Sequence, residues 1–431
     1  MPDTLQIRPL TGPVDADVTV PGSKSYTNRA LLIAALAEGE SCLSGVLFSD
    51  DTHHMAQGLK TLGIAVQADR AGATFTVTGT GGRVPARQAR LFVDNSGTTA
   101  RFLTAYLGLG RGVYTLDGVP RMRQRPIQDL LDGLRSLGVE ARSRHGNGCP
   151  PVLVEASGLK GGRAFMPGDK SSQYFTALLL VAPYAENDVE IRVRGALVSK
   201  PYIDMTLDIM HDFGVEVLND GYNTFFVRAR QRYRPRSYRI EPDASNASYF
   251  FAAAALTGGR IKVRGLTAES AQGDVGFVDI LERMGCQVQK APDGIEVRGP
   301  QKLAGIEIDM NSMSDVVQTL CAIAPFASDP VTVRNVAHMR IKETDRIAAL
   351  AAELRKLGVQ VDTRHDGLTV HPADQVHPAE LETYNDHRMA MGLALVGLVC
   401  PGIVIRDPKC VNKTFPGYFE VLETLRQSRH T

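Results

Sequence analysis

Two kinds of helical pattern alternate along the chain. The first is amphipathic and ends in an apolar-Gly-apolar step, which recurs roughly every 71 to 76 residues at Gly63, Gly138, Gly214, Gly285 and Gly358. Glycine is favoured there because the residue just past a helix often adopts a left-handed conformation. Alternating strand patterns follow each step, as in residues 359–370, and indicate hairpins.

The second pattern is a polar residue followed by an almost entirely apolar helix, a Gly or Pro break and a strand. A helix such as residues 30–37 (ALLIAALA) is apolar all round and is predicted to be buried. We interpret the polar residue as a helix N-cap. The six polar starts are Ser25, Ser96, Ser171, Ser245, Ser314 and Asn385.

These patterns predict six copies of one unit, each with a buried helix, a strand, an outer helix and a hairpin. The sixth outer helix, residues 418–425, has no hairpin after it, and the extended segment 5–20 has no helix before it. We therefore expect segment 5–20 to fill the empty sixth place, with the chain crossing between domains at residues 21–23 and 240–242.

The predicted fold is α/β with mixed sheets, in two similar domains that each contain three βαβαββ-type repeats with buried parallel helices. One domain is discontinuous, residues 1–22 with 241–431, and the other is residues 23–240. The active site is predicted in the cleft between them. A chain of 431 residues is long enough for two cores.

Composition and charge argue against nucleic-acid and membrane partners and indicate where in the cell the protein is located. The net charge of +1 gives no reason to expect a nucleic-acid or membrane partner, and no apolar run approaches the roughly 18 residues of a membrane span. The N-terminus lacks the order of a signal peptide, so a cytoplasmic protein is expected. The six cysteines form no Cys-x-x-Cys pair, and we interpret all six as reduced packing residues.

Positive charge is concentrated locally, near the starts of the apolar helices and on the segments after them. Helix N-termini attract anions, so this arrangement favours ligands that carry both phosphate and carboxylate groups. The cationic residues are Lys24, Arg29, Arg101, Arg121, Arg123, Arg125, Lys170, Lys200, Lys342, Arg346, His387, Arg388, Lys409 and Lys413. Neither a P-loop nor a metal-ligand spacing is present, so no cofactor and no metal are expected.

Eight segments resemble the EPSP synthase family, the 3-phosphoshikimate 1-carboxyvinyltransferases, which are enolpyruvyl transferases. They are residues 21–31 (PGSKSYTNRAL), 95–101 (NSGTTAR), 120–126 (PRMRQRP), 170–173 (KSSQ), 198–202 (VSKPY), 341–346 (IKETDR), 384–390 (YNDHRMA) and 409–416 (KCVNKTFP). The resemblance implies an inside-out α/β barrel fold. It also implies transfer of the enolpyruvyl group of phosphoenolpyruvate to the 5-hydroxyl of 3-phosphoshikimate, through a tetrahedral intermediate, in the shikimate pathway of aromatic amino-acid synthesis.

The resemblance also assigns binding residues. Those implied for 3-phosphoshikimate are Lys24, Ser25, Arg29, Ser171, Ser172, Gln173, Ser199, Tyr202, Asp315, His338 and Lys342. Those implied for phosphoenolpyruvate are Lys24, Asn95, Gly97, Arg125, Gln173, Glu343, Arg346, His387, Arg388 and Lys413.

Four residues are implied to take part in the chemistry. Asp315 would accept the proton of the attacking hydroxyl, with Lys342 beside it. Glu343, with Lys24, is our hypothesis for protonation of C3. Because Ser314 is expected to cap the fifth buried helix, Asp315 is interpreted as a base rather than as a cap.

Two departures and two alternatives stand beside this interpretation. His338 replaces an Asn of some members, which puts that substrate contact in doubt, and the segment around Gly97 differs from one branch, so sensitivity to the family's herbicide glyphosate is not predicted. The alternatives are the sister transferase that acts on UDP-N-acetylglucosamine, whose usual loop cysteine is missing from residues 108–126, and a non-catalytic anion-binding protein. The internally paired repeats predict a monomer.

Overall fold

The computed structural model describes residues 2–426, which divide into two units. The continuous unit is Gly22–Ile240, and the discontinuous unit contains the residues before Gly22 together with those from Glu241 onward. The prediction of an active site between two domains stays a prediction.

The first strands of the chain belong to the discontinuous unit, β1 (Thr4–Gln6) and β2 (Asp15–Val18). The strands of the continuous unit are β3 (Glu38–Ser44), β4 (Ala65–Asp69), β5 (Thr74–Thr80), β6 (Gln88–Phe92), β7 (Arg111–Asp117), β8 (Glu140–Ser143), β9 (Val152–Ser157), β10 (Gly162–Pro167), β11 (Val189–Arg194), β12 (Leu218–Asp220), β13 (Thr224–Val227) and β14 (Ser237–Arg239). Its helices are α1 (Lys24–Leu36), α2 (Asp50–Thr61), α3 (Gly97–Leu107), α4 (Gln128–Ser136), α5 (Ser172–Val181) and α6 (Pro201–Asp212).

The continuous unit contains three similar four-stranded sheets, with strand orders β14-β3-β5-β4, β6-β7-β9-β8 and β10-β11-β13-β12. In each, the first two strands are parallel and the last two form an antiparallel hairpin. Helices α1, α3 and α5 contact one another, and every residue of α3 is buried. The predicted buried helices are confirmed, because a helix that is apolar all round is stable only when all its faces are covered.

The discontinuous unit continues with β15 (Arg260–Arg264), β16 (Gln287–Ala291), β17 (Gly294–Arg298), β18 (Ile306–Asp309), β19 (Val331–Arg334), β20 (Val361–Arg364), β21 (Gly367–Val370), β22 (Glu380–Leu381) and β23 (Val404–Arg406). Its helices are α7 (Ala244–Thr257), α8 (Phe277–Arg283), α9 (Val317–Ile323), α10 (Arg346–Lys356), α11 (His387–Ala394) and α12 (Tyr418–Thr424). Its sheets have the orders β16-β17-β15-β2, β18-β19-β21-β20 and β1-β23-β22.

The N-terminal segment serves two repeats rather than one. Strand β1 pairs antiparallel with β23 in the sixth sheet, as predicted, but β2 pairs parallel with β15 in the fourth. The expectation that all of segment 5–20 fills the sixth place was therefore wrong. In each repeat, the strand that follows the buried helix pairs with a parallel edge strand. Strand β2 is the edge strand in the repeat of α7, and β14 is the edge strand beside β3.

Several predicted helix starts were wrong by one residue or more. The N-cap of α1 is Ser23, that of α7 is Asp243 and that of α11 is Asp386, whereas Ser96 and Ser171 are N-caps as predicted. The fifth buried helix begins only at Val317 after a 3₁₀ turn (Asn311–Val316) that contains Ser314, and it has no side-chain cap bond. A polar residue next to an apolar run is thus not always the residue whose side chain reaches the free amides.

The cysteine interpretation holds for four of the six residues, since Cys286, Cys321, Cys400 and Cys410 are buried and unbridged. Cys42 is exposed and Cys149 is half-buried, so neither is a core packing residue. Cys42 faces outward because it alternates with the buried Ser41 and Leu43 along β3. Within residues 2–426 no helix is long and apolar enough to cross a membrane.

Candidate functional site

The residues predicted to bind or react fall into two sets, one in each unit. The continuous unit contains Lys24, Ser25, Arg29, Asn95, Gly97, Arg125, Ser171, Ser172, Gln173, Ser199 and Tyr202. The discontinuous unit contains Asp315, His338, Lys342, Glu343, Arg346, His387, Arg388 and Lys413.

Arg346 is the centre of a buried ionic network in the discontinuous unit. It is the first residue of α10 and is 1% exposed. Its guanidinium donates to Asp386 from Nε (2.8 Å) and Nη2 (3.2 Å), to Asp315 from Nη1 (3.1 Å) and to Glu343 from Nη2 (3.0 Å). Burial alone would lower the pKa of Arg346, but the charges of these carboxylates outweigh it and raise the pKa. The guanidinium therefore stays charged in the interior.

Asp315 is held by two guanidinium groups from two different helices. Its Oδ1 accepts from Arg346, and its Oδ2 accepts from Nη2 of Arg388 at 2.7 Å. Arg388 is the second residue of α11, and its backbone amide donates to the N-cap carboxylate of Asp386 at 3.0 Å. The Asp315 side chain is 17% exposed, so it remains reachable while its direction is fixed.

Lys413 completes the network at the end of the 3₁₀ turn Pro408–Lys413. Its Nζ lies 3.5 Å from Oε1 of Glu343, and both side chains are largely buried. Glu343 is thus shared by Lys413 and Arg346, in the same way as Asp315 is shared by two arginines. An incoming anion can compete with Asp315 and Glu343 for these cations, whereas Asp386 keeps its two-point contact.

His338 lies in the 3₁₀ turn Ala337–Ile341, and a hydrogen bond to a serine hydroxyl fixes its ring. Its Nε2 is 2.9 Å from Oγ of Ser314. Burial, followed by the charge of Lys342, lowers the pKa of His338 to about 3, so the ring is neutral at physiological pH. The contact also corrects the predicted capping role of Ser314, whose hydroxyl binds this ring instead. Lys342 itself is half-buried.

The loop before α11 holds two residues in the left-handed region, Tyr384 (φ +55°) and Asn385 (φ +52°). Such a conformation is unfavourable for residues other than glycine and needs support from the surroundings. The Tyr384 hydroxyl donates to the fully buried Glu353 at 2.6 Å. This hydrogen bond holds the backbone that leads into Asp386 and His387. His387 is buried, and its Nδ1 lies 3.6 Å from the Asp386 carboxylate.

Arg29 is the most enclosed cation of the predicted set in the continuous unit. Its guanidinium donates to the hydroxyl of Thr206 (2.9 Å) and to the carbonyls of Ser25 (2.9 Å) and Tyr202 (2.8 Å), and it lies over the ring of Phe102. These acceptors are all neutral. Burial lowers the pKa of Arg29 to about 10, which leaves it charged at physiological pH. The side chain therefore carries positive charge that these acceptors do not neutralise.

Lys24 follows Ser23, the N-cap of α1, and lies near the first turn of α2. Its Nζ is 3.5 Å from Oδ2 of Asp51, and the side chains are 13% and 4% exposed. The sequence analysis did not identify Asp51. Its signal was the acidic pair Asp50-Asp51 directly after Ser49, a position where acidic residues favour a helix N-terminus.

Asn95, Gly97 and Arg125 lie together at the start of α3. Nη1 of Arg125 donates to the backbone carbonyl of Asn95 (2.8 Å) and to its side-chain oxygen (3.1 Å). A Cβ atom added at Gly97 would lie 2.6 Å from Nη2 of Arg125 and 3.0 Å from Nη1 of Arg101. A side chain at this position would therefore displace one or both of the guanidinium groups that lie against it.

The serine-rich start of α5 provides several hydroxyl and amide groups. Ser171 is the N-cap and accepts from the backbone amide of Gln173 at 3.2 Å, and Ser172 is buried. The Gln173 amide donates to the hydroxyl of Thr98 on α3 at 3.3 Å. Thr98 was missed by the sequence analysis, although it lies within segment 95–101.

Ser199 and Tyr202 lie at the start of α6. Ser199 is buried and has φ +55°. The Tyr202 carbonyl accepts from the Thr206 hydroxyl (2.7 Å) as well as from Arg29, which ties this turn to α1.

Three of the predicted cationic residues pair with local carboxylates instead of joining the networks described above. Arg123 and Lys409 are exposed and form surface ion pairs with Asp117 (2.6 Å) and Asp3 (3.7 Å), and the half-buried Lys170 pairs with the buried Asp129 (3.0 Å). The expectation that the set as a whole forms one basic site was wrong for these residues, because nearby carboxylates pair with them locally. Among the described residues, no group of three His, Cys, Asp or Glu side chains has the arrangement of a metal site.

Comparison with known proteins identifies one family. The family model described as EPSP synthase (3-phosphoshikimate 1-carboxyvinyltransferase) matches residues 10–422. A protein of Nostoc punctiforme named 3-phosphoshikimate 1-carboxyvinyltransferase is 54% identical over 417 residues, which cover 97% of this chain and 98% of that protein. A protein of Shewanella sp. (strain MR-7) with the same name is 46% identical, with 98% and 99% covered.

Solved structures show the same fold. The 2.37 Å structure of EPSP synthase from Acinetobacter baumannii matches with a TM-score of 0.82 and 24% identity, and the match covers 98% of both chains. The predicted fold class of repeated α/β units with mixed sheets is therefore confirmed.

Proposed function

The chain belongs to the EPSP synthase family, and we propose how its two sets of residues carry out the reaction of that family. The chain is a transferase: the enolpyruvyl group of phosphoenolpyruvate passes to the 5-hydroxyl of 3-phosphoshikimate, which gives 5-enolpyruvylshikimate 3-phosphate and phosphate. The names of its relatives favour this activity over transfer to UDP-N-acetylglucosamine and over a non-catalytic role.

One observation carries the proposal. Arg346, Arg388 and Lys413 are buried cations that share two carboxylates, Asp315 and Glu343, within one unit. Phosphoenolpyruvate carries a carboxylate and a phosphate, and these groups would take over the cations by bidentate and charge-assisted hydrogen bonds. Asp315 and Glu343 would then lose their ionic partners and become available for proton transfer beside the bound ligand.

The continuous unit would contribute the remaining contacts with phosphoenolpyruvate. Arg125, fixed by Asn95, would provide a further guanidinium, and the small Gly97 would leave room for the ligand beside it. Lys24 and Gln173 would contact both substrates. We propose that the two sets act on one pair of substrates in a cleft between the domains.

For 3-phosphoshikimate, the proposal uses hydroxyl groups and one buried cation. Ser171, Ser172 and Ser199 would hydrogen-bond the phosphate and hydroxyl groups, with Tyr202 and Ser25 beside them. Arg29 supports this assignment because its present acceptors are neutral, so its positive charge can stabilise the phosphate. Asp315, His338 and Lys342 would complete this substrate's surroundings.

The chemistry begins with addition. Asp315 takes the proton of the 5-hydroxyl while the hydroxyl oxygen forms a bond to C2 of phosphoenolpyruvate, and Glu343, protonated once the ligand has taken over its cations and aided by Lys24, gives its proton to C3. The product of this step is a tetrahedral intermediate that still carries the phosphate at C2. A base and an acid on opposite sides of the reacting double bond are each worth roughly 10²- to 10⁴-fold in rate, and holding both substrates in place removes much of the entropic barrier.

Elimination then reverses the proton movements at C3. Glu343 takes a proton from C3, the bond between C2 and the phosphate oxygen breaks, and the departing phosphate receives the proton that Asp315 took from the 5-hydroxyl. Arg346, Arg388 and Lys413 stabilise the negative charge that grows on the leaving phosphate. We further propose that the enzyme works as a monomer in the cytoplasm, which sedimentation and cell fractionation can test.

Replacement of Asp315 by Ala tests the proposal. The wild-type enzyme should release phosphate only with both substrates present, and Asp315→Ala should lower kcat by roughly 10²-fold or more. Binding of 3-phosphoshikimate, measured by calorimetry, should change by less than about threefold, because Asp315 is only one of its contacts. Asp362→Ala is the matched control, since Asp362 is exposed and forms an ion pair with His371. Unchanged turnover in Asp315→Ala contradicts the proposal, and phosphate release that needs UDP-N-acetylglucosamine instead would support the alternative transferase.

A further inference from the structure

Asp274 is a buried carboxylate near Arg388 that has no role in the proposed reaction. Asp274 belongs to the 3₁₀ turn Gly273–Gly276 and is 6% exposed. Its Oδ2 accepts a hydrogen bond from the hydroxyl of Ser245, whereas its Oδ1 is buried without a hydrogen-bond partner. A buried carboxylate with an unsatisfied oxygen is costly and calls for a function that offsets the cost.

Ser245 connects this carboxylate to the cationic network. It is the second residue of α7, and its Oγ also accepts from Nη2 of Arg388 at 3.3 Å. A hydroxyl has one hydrogen, so once that hydrogen is donated to Asp274 the oxygen lone pairs face the guanidinium. The same Nη2 of Arg388 donates to Asp315. A continuous series of hydrogen bonds therefore runs from Asp274 through Ser245 and Arg388 to Asp315.

The turn that carries Asp274 is fixed to the start of α7 by Gln272. The Gln272 side-chain oxygen accepts from the amide of Ala244 at 3.1 Å, and its Nε2 donates to the carbonyl of Pro242 and to Glu241, both at 2.8 Å. These bonds set the position of Asp274 relative to Ser245 independently of Arg388. The sequence prediction that Ser245 caps its helix was wrong, because Asp243 caps it and leaves the Ser245 hydroxyl for Asp274.

We propose that Asp274 and Ser245 are positioning residues that hold the Arg388 guanidinium in the orientation in which it binds phosphoenolpyruvate and faces Asp315. The inference rests on the role proposed above for Arg388. Neither residue needs to touch a substrate. Asp274 orients the hydroxyl, the hydroxyl orients the guanidinium, and the guanidinium points to the position of the ligand beside Asp315.

The charges around Asp274 add a measurable consequence. Asp243 from the start of α7, Asp315 from the turn before α9 and Arg388 from α11 all act on it, and burial together with the negative charge of Asp315 raises the pKa of Asp274 to about 7. An anion bound at Arg388 disfavours the ionised form of Asp274 further. Binding of phosphoenolpyruvate is therefore linked to retention of a proton on Asp274, and it weakens as the pH rises through the neutral range.

Steady-state kinetics with both substrates varied separately tests the proposal. Asp274→Ala and Ser245→Ala should each raise KM for phosphoenolpyruvate about tenfold, the effect of losing a hydrogen bond to a charged group, and should leave KM for 3-phosphoshikimate within about twofold. The double variant should resemble either single variant, because both changes break the same series of bonds. Asp274→Asn keeps an acceptor for the Ser245 hydroxyl, so KM at pH 6 should stay near the wild-type value, and the wild-type rise in KM between pH 6 and 8 should become smaller.

Asp279→Asn is the control, since Asp279 lies on α8 and forms an exposed pair with Lys290. An unchanged KM for phosphoenolpyruvate in Asp274→Ala, a multiplicative effect in the double variant, or an unaltered pH dependence in Asp274→Asn overturns the proposal. If Asp274→Ala does not fold, Ser245→Ala removes only a hydroxyl and provides the same comparison. The phosphate-release assay of the wild-type enzyme separates a failure of this inference from a failure of the proposed function, because wild-type turnover supports the proposed function whatever these variants do.

Discussion

Arg346 and Asp386 form a two-point contact in the interior of the discontinuous unit. Nε and Nη2 of the guanidinium donate to the two carboxylate oxygens at 2.8 and 3.2 Å, and the side chains are 2% and 0% exposed. The same carboxylate caps α11 through the amide of Arg388. One buried acid thus fixes the directions of two arginines that are proposed to bind the ligand.

This arrangement predicts that Asp386→Ala is strongly destabilising. The change leaves the Arg346 charge buried with fewer acceptors and removes the cap of α11, so the free energy of unfolding should fall by roughly 3 to 5 kcal/mol. Urea denaturation followed by circular dichroism measures this loss. Asp374→Ala serves as the control, because Asp374 is exposed and should change stability by about 0.5 kcal/mol or less. A loss in Asp386→Ala as small as that of the control would show that the contact does not support the network.

A methyl group at Gly97 should act on phosphoenolpyruvate and not on 3-phosphoshikimate. The new Cβ would meet Arg125 at 2.6 Å and force its guanidinium away from the ligand position. We expect KM for phosphoenolpyruvate to rise roughly tenfold in Gly97→Ala, equivalent to about 1.4 kcal/mol, with KM for 3-phosphoshikimate nearly unchanged.

Gly108→Ala provides the comparison for this effect. Gly108 is the C-cap of the same helix, has φ −61° and contacts neither guanidinium. Equal changes in both KM values for Gly97→Ala, or equal effects of the two variants, would mean that displacement of Arg125 is not the cause.

His338 should contribute no titration to catalysis near neutral pH. Its pKa is lowered to about 3 by burial, so the folded protein binds fewer protons at this residue than the unfolded chain between about pH 3 and 6.5. This group therefore reduces stability as the pH falls through that window and has no effect above it. His338→Asn should lessen the loss of stability between pH 7 and 5, and the pH profile of kcat between pH 6 and 9 should keep its shape.

Thermal unfolding and initial rates over these pH ranges check both parts. A profile that loses a limb near pH 6.5 in His338→Asn would instead identify His338 as a titrating catalytic group.

The repeats made the fold predictable, because local pattern decides which helices can be buried. Residues 30–37 are apolar on every face, and no environment except an interior covers all of them. The pairing of β2 with β15 was not predictable in the same way. Both the fourth and the sixth sheets could accept an edge strand from the N-terminal segment, and only tertiary packing decides between them.

For the site, the resemblance identified the cations and the carboxylates Asp315 and Glu343, but not the further acids that fix two of these cations. Asp386 and Asp51 are ordinary helix-start residues by pattern, and their contacts with Arg346 and Lys24 depend on neighbouring helices distant in sequence. Asp274 has no local signal at all, since its partner Ser245 lies on another element. Ser314 shows the converse: a plausible cap in the sequence binds His338 because the helix begins later than its apolar run suggests.

The central proposal is that Arg346, Arg388 and Lys413 pass from Asp315 and Glu343 to the anionic groups of one substrate pair, which Lys24 and Arg125 also contact. A crystal structure of Asp315→Ala, in which turnover is blocked, with phosphoenolpyruvate and 3-phosphoshikimate bound tests it most directly. The account predicts that Arg346, Arg388 and Lys413 lie within about 3 Å of the phosphoenolpyruvate oxygens, together with Lys24 and Arg125. A phosphoenolpyruvate molecule held by residues of one unit alone, or by none of these cations, would contradict it.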